Sequence, residues 1–211
     1  MKSFIYSITL LLISINPILA QNSTDIQGII DKSLSTLNNT TIKTNFELSV
    51  NEKNKLNSQS NNGVFTMKGQ KFFLDMTNTK IWFDGKTQWS YLLQTEEVSI
   101  TEPTEEELSL INPLAILKRY SAKSKLSFSK NKSNDNYIID MAPKSEKDDF
   151  NKIEVQIDKK NNQLKSIKMI AKNGITTLLN LSNYQKDINV SADYFKFDKT
   201  QCKGAYINDL R

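Results

Sequence analysis

Histidine is missing from the 211 residues, and cysteine occurs once, as Cys202 near the C-terminus. Without histidine there is no Ser-His or Cys-His nucleophilic pair and no imidazole zinc site. One cysteine cannot form an internal disulfide, which excludes a small stapled secreted scaffold. Paired carboxylates support hydrolysis without histidine, but the acidic runs are badly arranged for it. Glu105, Glu106 and Glu107 are consecutive, so on a helix they point in different directions, and capping is their simpler use. Asp148-Asp149 falls in a polar loop pattern. There is no Gly-rich phosphate loop and no nucleic-acid motif, so nucleic acid is not expected as a partner. No catalytic residue, metal ligand or cofactor is assigned, which leaves a His-free hydrolase as the remotest class.

Long apolar runs are also lacking. The apolar segment Ile8 to Ile15 is too short to span a bilayer. Lys2 before it and Pro17-Ile18-Leu19-Ala20 after it give residues 1–20 the layout of an export leader cut near Ala20. No cysteine stands near Gln21 to carry a lipid anchor. Residues 21–211 then suit one soluble domain, with scattered lysine and abundant asparagine on its surface.

What is present is mostly β pattern. Thr24-Asp25-Ile26-Gln27 has capping-box spacing, and Ile26, Ile29, Ile30, Leu34 and Leu37 follow at helical spacing, with Asn38-Asn39 as the stop. Ile42 to Val50 alternates as a first strand, and Asn51 to Asn62 reads as a polar hairpin loop. From Gly63 to Thr101 short strands follow one another almost without connection. Phe72, Leu74 and Met76 alternate with Phe73, Asp75 and Thr77. After Asp84-Gly85, a strong hairpin signal, Trp89, Tyr91 and Leu93 alternate with Gln88, Ser90 and Leu92. Thr104-Glu105-Glu106-Glu107 is a second capping box, and Asn112-Pro113 starts a further helix that continues through Leu114, Ile116, Leu117 and Tyr120. Strand patterns resume at 125–129, 137–141, 153–157, 164–171 and 175–181, and Tyr194, Phe195 and Phe197 form a last apolar knot before a polar tail.

The expected fold is mainly β: an incomplete antiparallel barrel of about eleven strands, with the helices Ile26–Leu37 and Leu108–Tyr120 as a lid over its mouth. A long meander has to bury one face and hide its edges. An aromatic and aliphatic wall of Phe46, Leu48, Phe72, Leu74, Met76, Trp89, Tyr91 and Leu93 is expected to line the interior. For a meander alone, a filled core is the bland reading of that wall. More than about eight strands, however, enclose more room than side chains readily fill.

Phe83-Asp84-Gly85-Lys86-Thr87-Gln88-Trp89-Ser90-Tyr91 followed by Val98, the Asn112-Pro113-Leu114-Ala115-Ile116-Leu117 helix, Ile153-Glu154-Val155-Gln156-Ile157 and Ala192-Asp193-Tyr194-Phe195-Lys196-Phe197 together resemble the periplasmic outer-membrane lipoprotein carrier family of LolA type. The resemblance implies a half-barrel whose cavity holds the acyl chains of lipoproteins. It implies an inner-membrane lipoprotein-releasing ABC transporter as donor, an outer-membrane acceptor, a periplasmic location and a monomer. On that reading Ile26, Ile29, Ile30, Leu34, Leu114, Ile116 and Leu117 are lid residues that fill the empty cavity and make binding reversible. Where many members carry a basic-Arg-Pro segment whose Arg is implicated in lid gating, this chain reads Lys68-Gly69-Gln70. Apolar contacts are therefore expected to hold its lid. The basic cluster Lys118, Arg119, Lys123, Lys125, Lys130 and Lys132 is either a solvated face or a surface for anionic lipid or an acidic transporter. The alternative function on the same half-barrel is a periplasmic lipid- or lipoprotein-sensing interaction module.

Overall fold

A computed structural model describes residues 18–52, 59–202 and 204–211, and side chains of the first helix from Ile26 onward. The expected leader lies largely outside the described residues. Helix α1 (Ile18–Asn39) precedes strands β1 (Ile42–Asn51), β2 (Gln59–Lys68), β3 (Lys71–Met76), β4 (Thr79–Phe83), β5 (Gln88–Leu92) and β6 (Glu97–Thr101). Helices α2 (Glu105–Leu108) and α3 (Pro113–Lys123) come next. After them run β7 (Ser124–Phe128), β8 (Asn136–Pro143), β9 (Phe150–Asp158), β10 (Leu164–Ala171) and β11 (Thr176–Lys186), with β12 (Tyr206–Asp209) last.

All twelve strands form one sheet in the order β12-β6-β5-β4-β3-β2-β1-β11-β10-β9-β8-β7. Neighbours are antiparallel except β12, which lies parallel to β6. The chain walks outward from β1 to β6, crosses to the opposite edge through α2 and α3, and walks back from β7 to β11 beside β1. The edges at β12 and β7 do not pair with each other, so the barrel stays open, as expected. Helix α1 packs against both β2 and β7. These are six strands apart, about 29 Å in a flat sheet. A helix is only about 10–12 Å wide, so the sheet curls around the helical side, with α1 reaching from one wall to the other.

Turn chemistry fixes the register of the meander. Asp84 Oδ1 accepts the backbone N–H groups of Lys86 (3.0 Å) and Thr87 (2.9 Å), and Gly85 supplies the φ of +103° that this turn needs. Phe83 is thereby set opposite Gln88, and Trp82 opposite Trp89. Three expectations shift. The Thr24 box does not cap α1, which runs on from Ile18 because neither proline nor glycine lies between Ile18 and Thr24 to stop it. Among the described residues the strand count rises to twelve, because Tyr206–Asp209, read as tail, pairs with β6. Part of the expected loop, Gln59 to Asn62, extends β2 opposite Glu47 to Val50; residues 53–58 of that loop lie outside the described residues.

Candidate functional site

Cross-strand register sorts the side chains onto two faces. On the helical side, one row runs Leu48, Leu179, Ile167, Val155, Ile139, Phe128 from β1 to β7. Another runs Thr44, Phe65, Leu74, Ile81, Ser90, Ser99 from β1 to β6. The inner wall is therefore apolar through the middle of the sheet and turns polar at β5 and β6. Phe46, Phe72 and Leu74 are buried in one continuous core with β8 to β11, and Leu48 and Met76 pack against it half-buried. Phe65, Phe72 and Phe83 stack in sequence, with ring centroids 5.5 and 5.3 Å apart.

The residues expected to form a lid pack against this wall. Ile26, Ile29, Ile30 and Leu37 form one buried stripe of α1, and Leu114, Ile116, Leu117 and Tyr120 one of α3; all belong to the same core, with Leu34 packed at its margin. The α3 stripe exists because Asn112 Oδ1 accepts the Leu114 N–H (2.9 Å) and Pro113 fills the first turn. The Thr104 and Glu107 capping box forms as read, and its hydrogen bonds hold the Glu107 carboxyl below the usual range. Burial pushes the Tyr120 phenol up to about 12, the field of Asp148 adding to it, while its ring meets Phe150 edge-on at 5.8 Å.

Three expected wall residues do not belong to the interior. Trp89 and Tyr91 lie on the opposite, outer face, in the rows Thr66, Phe73, Trp82, Trp89, Ile100 and Val64, Asp75, Lys80, Tyr91, Val98. Leu93 is exposed in the turn after β5. The physical reason is that both faces of β3 and β4 are apolar: Phe72 and Phe83 point inward while their neighbours Phe73 and Trp82 point outward. Alternation within β5 could not say which way Trp89 faced. The signal that decides it is the four-residue turn Asp84 to Thr87, which places Trp89 beside Trp82 and hence beside Phe73. The outer aromatics are covered by the segment from β11 to β12. Phe197 meets Trp82 at 5.6 Å, Tyr194 meets Phe73 at 5.8 Å, and Phe195 is buried.

A separate cleft of about 610 Å³ opens between α1, α2 and α3. Of the expected site residues, Leu34 and Leu114 line it, with Leu108, Ala115 and Ala122, and the basic cluster contributes Lys118, Arg119 and Lys123. Gln70, from the turn that replaces the basic-Arg-Pro segment, is the sheet's residue there. Arg119 donates to Glu106 Oε1 at 2.7 Å and lies 5.9 Å from the Tyr120 ring centre, while its Nε is buried without an acceptor. Sequence reasoning did not anticipate this cleft; the alternation of leucine and cation along α3 was its available signal.

The family described as outer membrane lipoprotein carrier protein LolA matches residues 17–173. The chain belongs to that family. Solved structures are similar to it at low identity. An uncharacterized conserved protein from Thermus thermophilus is 12% identical, with a TM-score of 0.59 over 88% of this chain and 99% of that one. A LolA superfamily protein from Nitrosomonas europaea is 11% identical, with a TM-score of 0.44 over 82% and 97%. A DUF1329 family protein from Desulfovibrio piger is 12% identical, with a TM-score of 0.45 over 84% and 99%. Comparison with curated proteins finds no match. Membership places the chain with periplasmic binding modules of the lipoprotein-carrier type. Among the described residues no helix is long and apolar enough to cross a membrane.

Proposed function

We propose that this LolA-family protein is a periplasmic carrier that shelters lipoprotein acyl chains against its inner wall and passes them from the inner to the outer membrane. The observation that carries the reading is how α1 is held. Every side-chain hydrogen bond among its described residues closes within the helix or its C-terminal Asn pair. Its hold on the sheet is the stripe Ile26, Ile29, Ile30 and Leu37. Four such side chains contribute about 6–12 kcal/mol on burial. Roughly eight to fifteen acyl methylenes, at about 0.8 kcal/mol each, match that. Chain and helix are thus close competitors for one wall, and the sheet's own hydrogen bonds survive the exchange. Exchange of that kind gives binding that is reversible, which a carrier needs.

The expected donor is a lipoprotein-releasing ABC transporter and the expected recipient an outer-membrane acceptor. The test is capture of a tri-acylated lipoprotein released from inner-membrane vesicles. Leu48→Glu and Met76→Glu put charge on half-buried wall positions, with circular dichroism to confirm folding. Wild type should capture lipoprotein and both folded variants should lose at least tenfold. No capture by wild type, or undiminished capture by both variants, overturns the carrier reading.

A further inference from the structure

The cleft on the solvent side of the lid is not explained by acyl chains on the inner wall, because no inner residue of the sheet lines it. It has a polarity of its own. The first turn of α3 offers Leu114 and Ala115, and Leu108 of α2 and Leu34 of α1 line the same cleft. From the second turn on, each turn of α3 brings a cation to the cleft: Lys118 and Arg119, then Lys123. Leu114 to Ala122 spans about 12 Å of helix at 1.5 Å per residue. Along α3 the lining therefore runs from apolar at the first turn to cationic beyond it, in a volume within the about 300–1,000 Å³ usual for small-molecule sites.

We propose that this cleft binds an acyl amphiphile with an anionic head, carboxylate or phosphate, hydrocarbon toward Leu34, Leu108 and Leu114 and head toward Lys118, Arg119 and Lys123. The proposal rests on the carrier reading for its acyl chain and adds the class of head that the mouth of the half-barrel recognises. Two carboxylates also line the cleft, Asp31 and Glu105. Asp31 accepts from Gln27 Nε2 at 2.8 Å. Glu106, which holds one terminal nitrogen of Arg119, is not among the lining residues. Lys118 and Lys123 have no ion-pair partner among the described residues. Arg119 keeps a buried Nε donor with no acceptor. Turning that side chain toward the cleft gives the donor the oxygen it lacks and sets up a charge-assisted bond.

The experiment titrates the full chain with dodecanoate, dodecyl phosphate and uncharged dodecyl maltoside, each below its micellar concentration, and reads methyl shifts by NMR. Both anionic probes should bind at least tenfold tighter than the maltoside and shift the methyls of Leu34, Leu108, Ala115 and Ala122. A tighter fit of either anion identifies its head. Lys118→Gln with Lys123→Gln, at exposed positions, should cost the anions at least fivefold and leave the maltoside unchanged. Equal binding of maltoside and anions overturns the proposal. Shifts confined to wall methyls such as Leu48, Leu74 and Met76 overturn it while supporting the carrier reading. Shifts confined to the cleft support it and count against the inner wall as the acyl site.

Discussion

At Gly63 the inner wall comes closest to having no room. The residue lies opposite Phe46 on one side and Met76 on the other. A methyl group on it would stand 2.1 Å from the Asp75 carbonyl oxygen and 2.9 Å from Phe46 Cε1. The backbone oxygen cannot swing aside as a side chain does, so β2 and β3 would have to separate. Gly63→Ala should lower stability by about 1–3 kcal/mol, read as a lower urea midpoint in chemical unfolding; an unchanged midpoint would mean the strands part freely there. Residue by residue, the wall is partly legible in the sequence. Phe46, Leu48, Phe72, Leu74 and Met76 share a face because period two is strict within a strand and the hairpins carry it across. Trp89 and Tyr91 defeat the same rule because the two-sided apolar character of Phe72-Phe73 and Trp82-Phe83 cancels the cue that alternation normally gives. The row Gln88, Ser90, Ser99 and Thr101, polar but inward, completes the disguise.

At the scale of elements, the expected lid is one helix marginally suited to its length and one well-capped helix beside it. Gly28 stands in the middle of α1, and apart from its chain neighbours and the helix's own backbone nothing lies within 4 Å of where its Cβ would be. Glycine costs a helix interior about 0.5–1 kcal/mol relative to alanine through backbone entropy. Gly28→Ala should therefore stabilise α1 by that amount without touching the core. If acyl chains compete with this helix for the wall, as the proposed carrier function requires, the same change should slow lipoprotein capture severalfold. Amide exchange along α1 and capture kinetics check the two halves of the prediction, and faster exchange in the variant would contradict it. The helices of the insert are readable from Thr104 to Glu107 and Asn112-Pro113 because capping is local chemistry. The start of α1 is not, since a capping sequence caps only where the chain before it leaves the helix. Strand β12 is hidden for another reason. Four residues acquire strand character from the edge of β6 that receives them, and nothing local announces that edge.

The whole molecule is a sheet with a different cover on each face, and the two covers have different strength of attachment. Inside, α1 and α3 rest on apolar stripes. Outside, the chain after β11 crosses the aromatic row from Thr66 to Ile100 and is tied down at its far end by β12, with Tyr206 N–H donating to the Glu96 carbonyl at 2.8 Å and Leu210 N–H to Ile100 at 2.9 Å. Beyond the middle strands the outer face needs no cover, because Asp140, Glu154 and Lys168 stand in register there and Lys152 bridges the first two at 3.3 and 3.6 Å. On the proposed carrier function, such a build uncovers the inner wall while the outer cover keeps the sheet in shape. The chain supplies its own reporter, for it has two tryptophans, Trp82 and Trp89, and both face outward. Tryptophan emission should then stay fixed, in wavelength and intensity, through a titration that fills the inner wall with a tri-acylated lipopeptide. Phe195→Ala should do the reverse. Its ring, part of the outer cover, is 3% exposed and meets Tyr194 at 5.3 Å. Its loss should cost about 3–5 kcal/mol and move the emission to longer wavelength as water reaches Trp82. A shift of tryptophan emission on lipopeptide binding to the wild type would mean that the outer cover moves with the lid, and that the two faces are not independent.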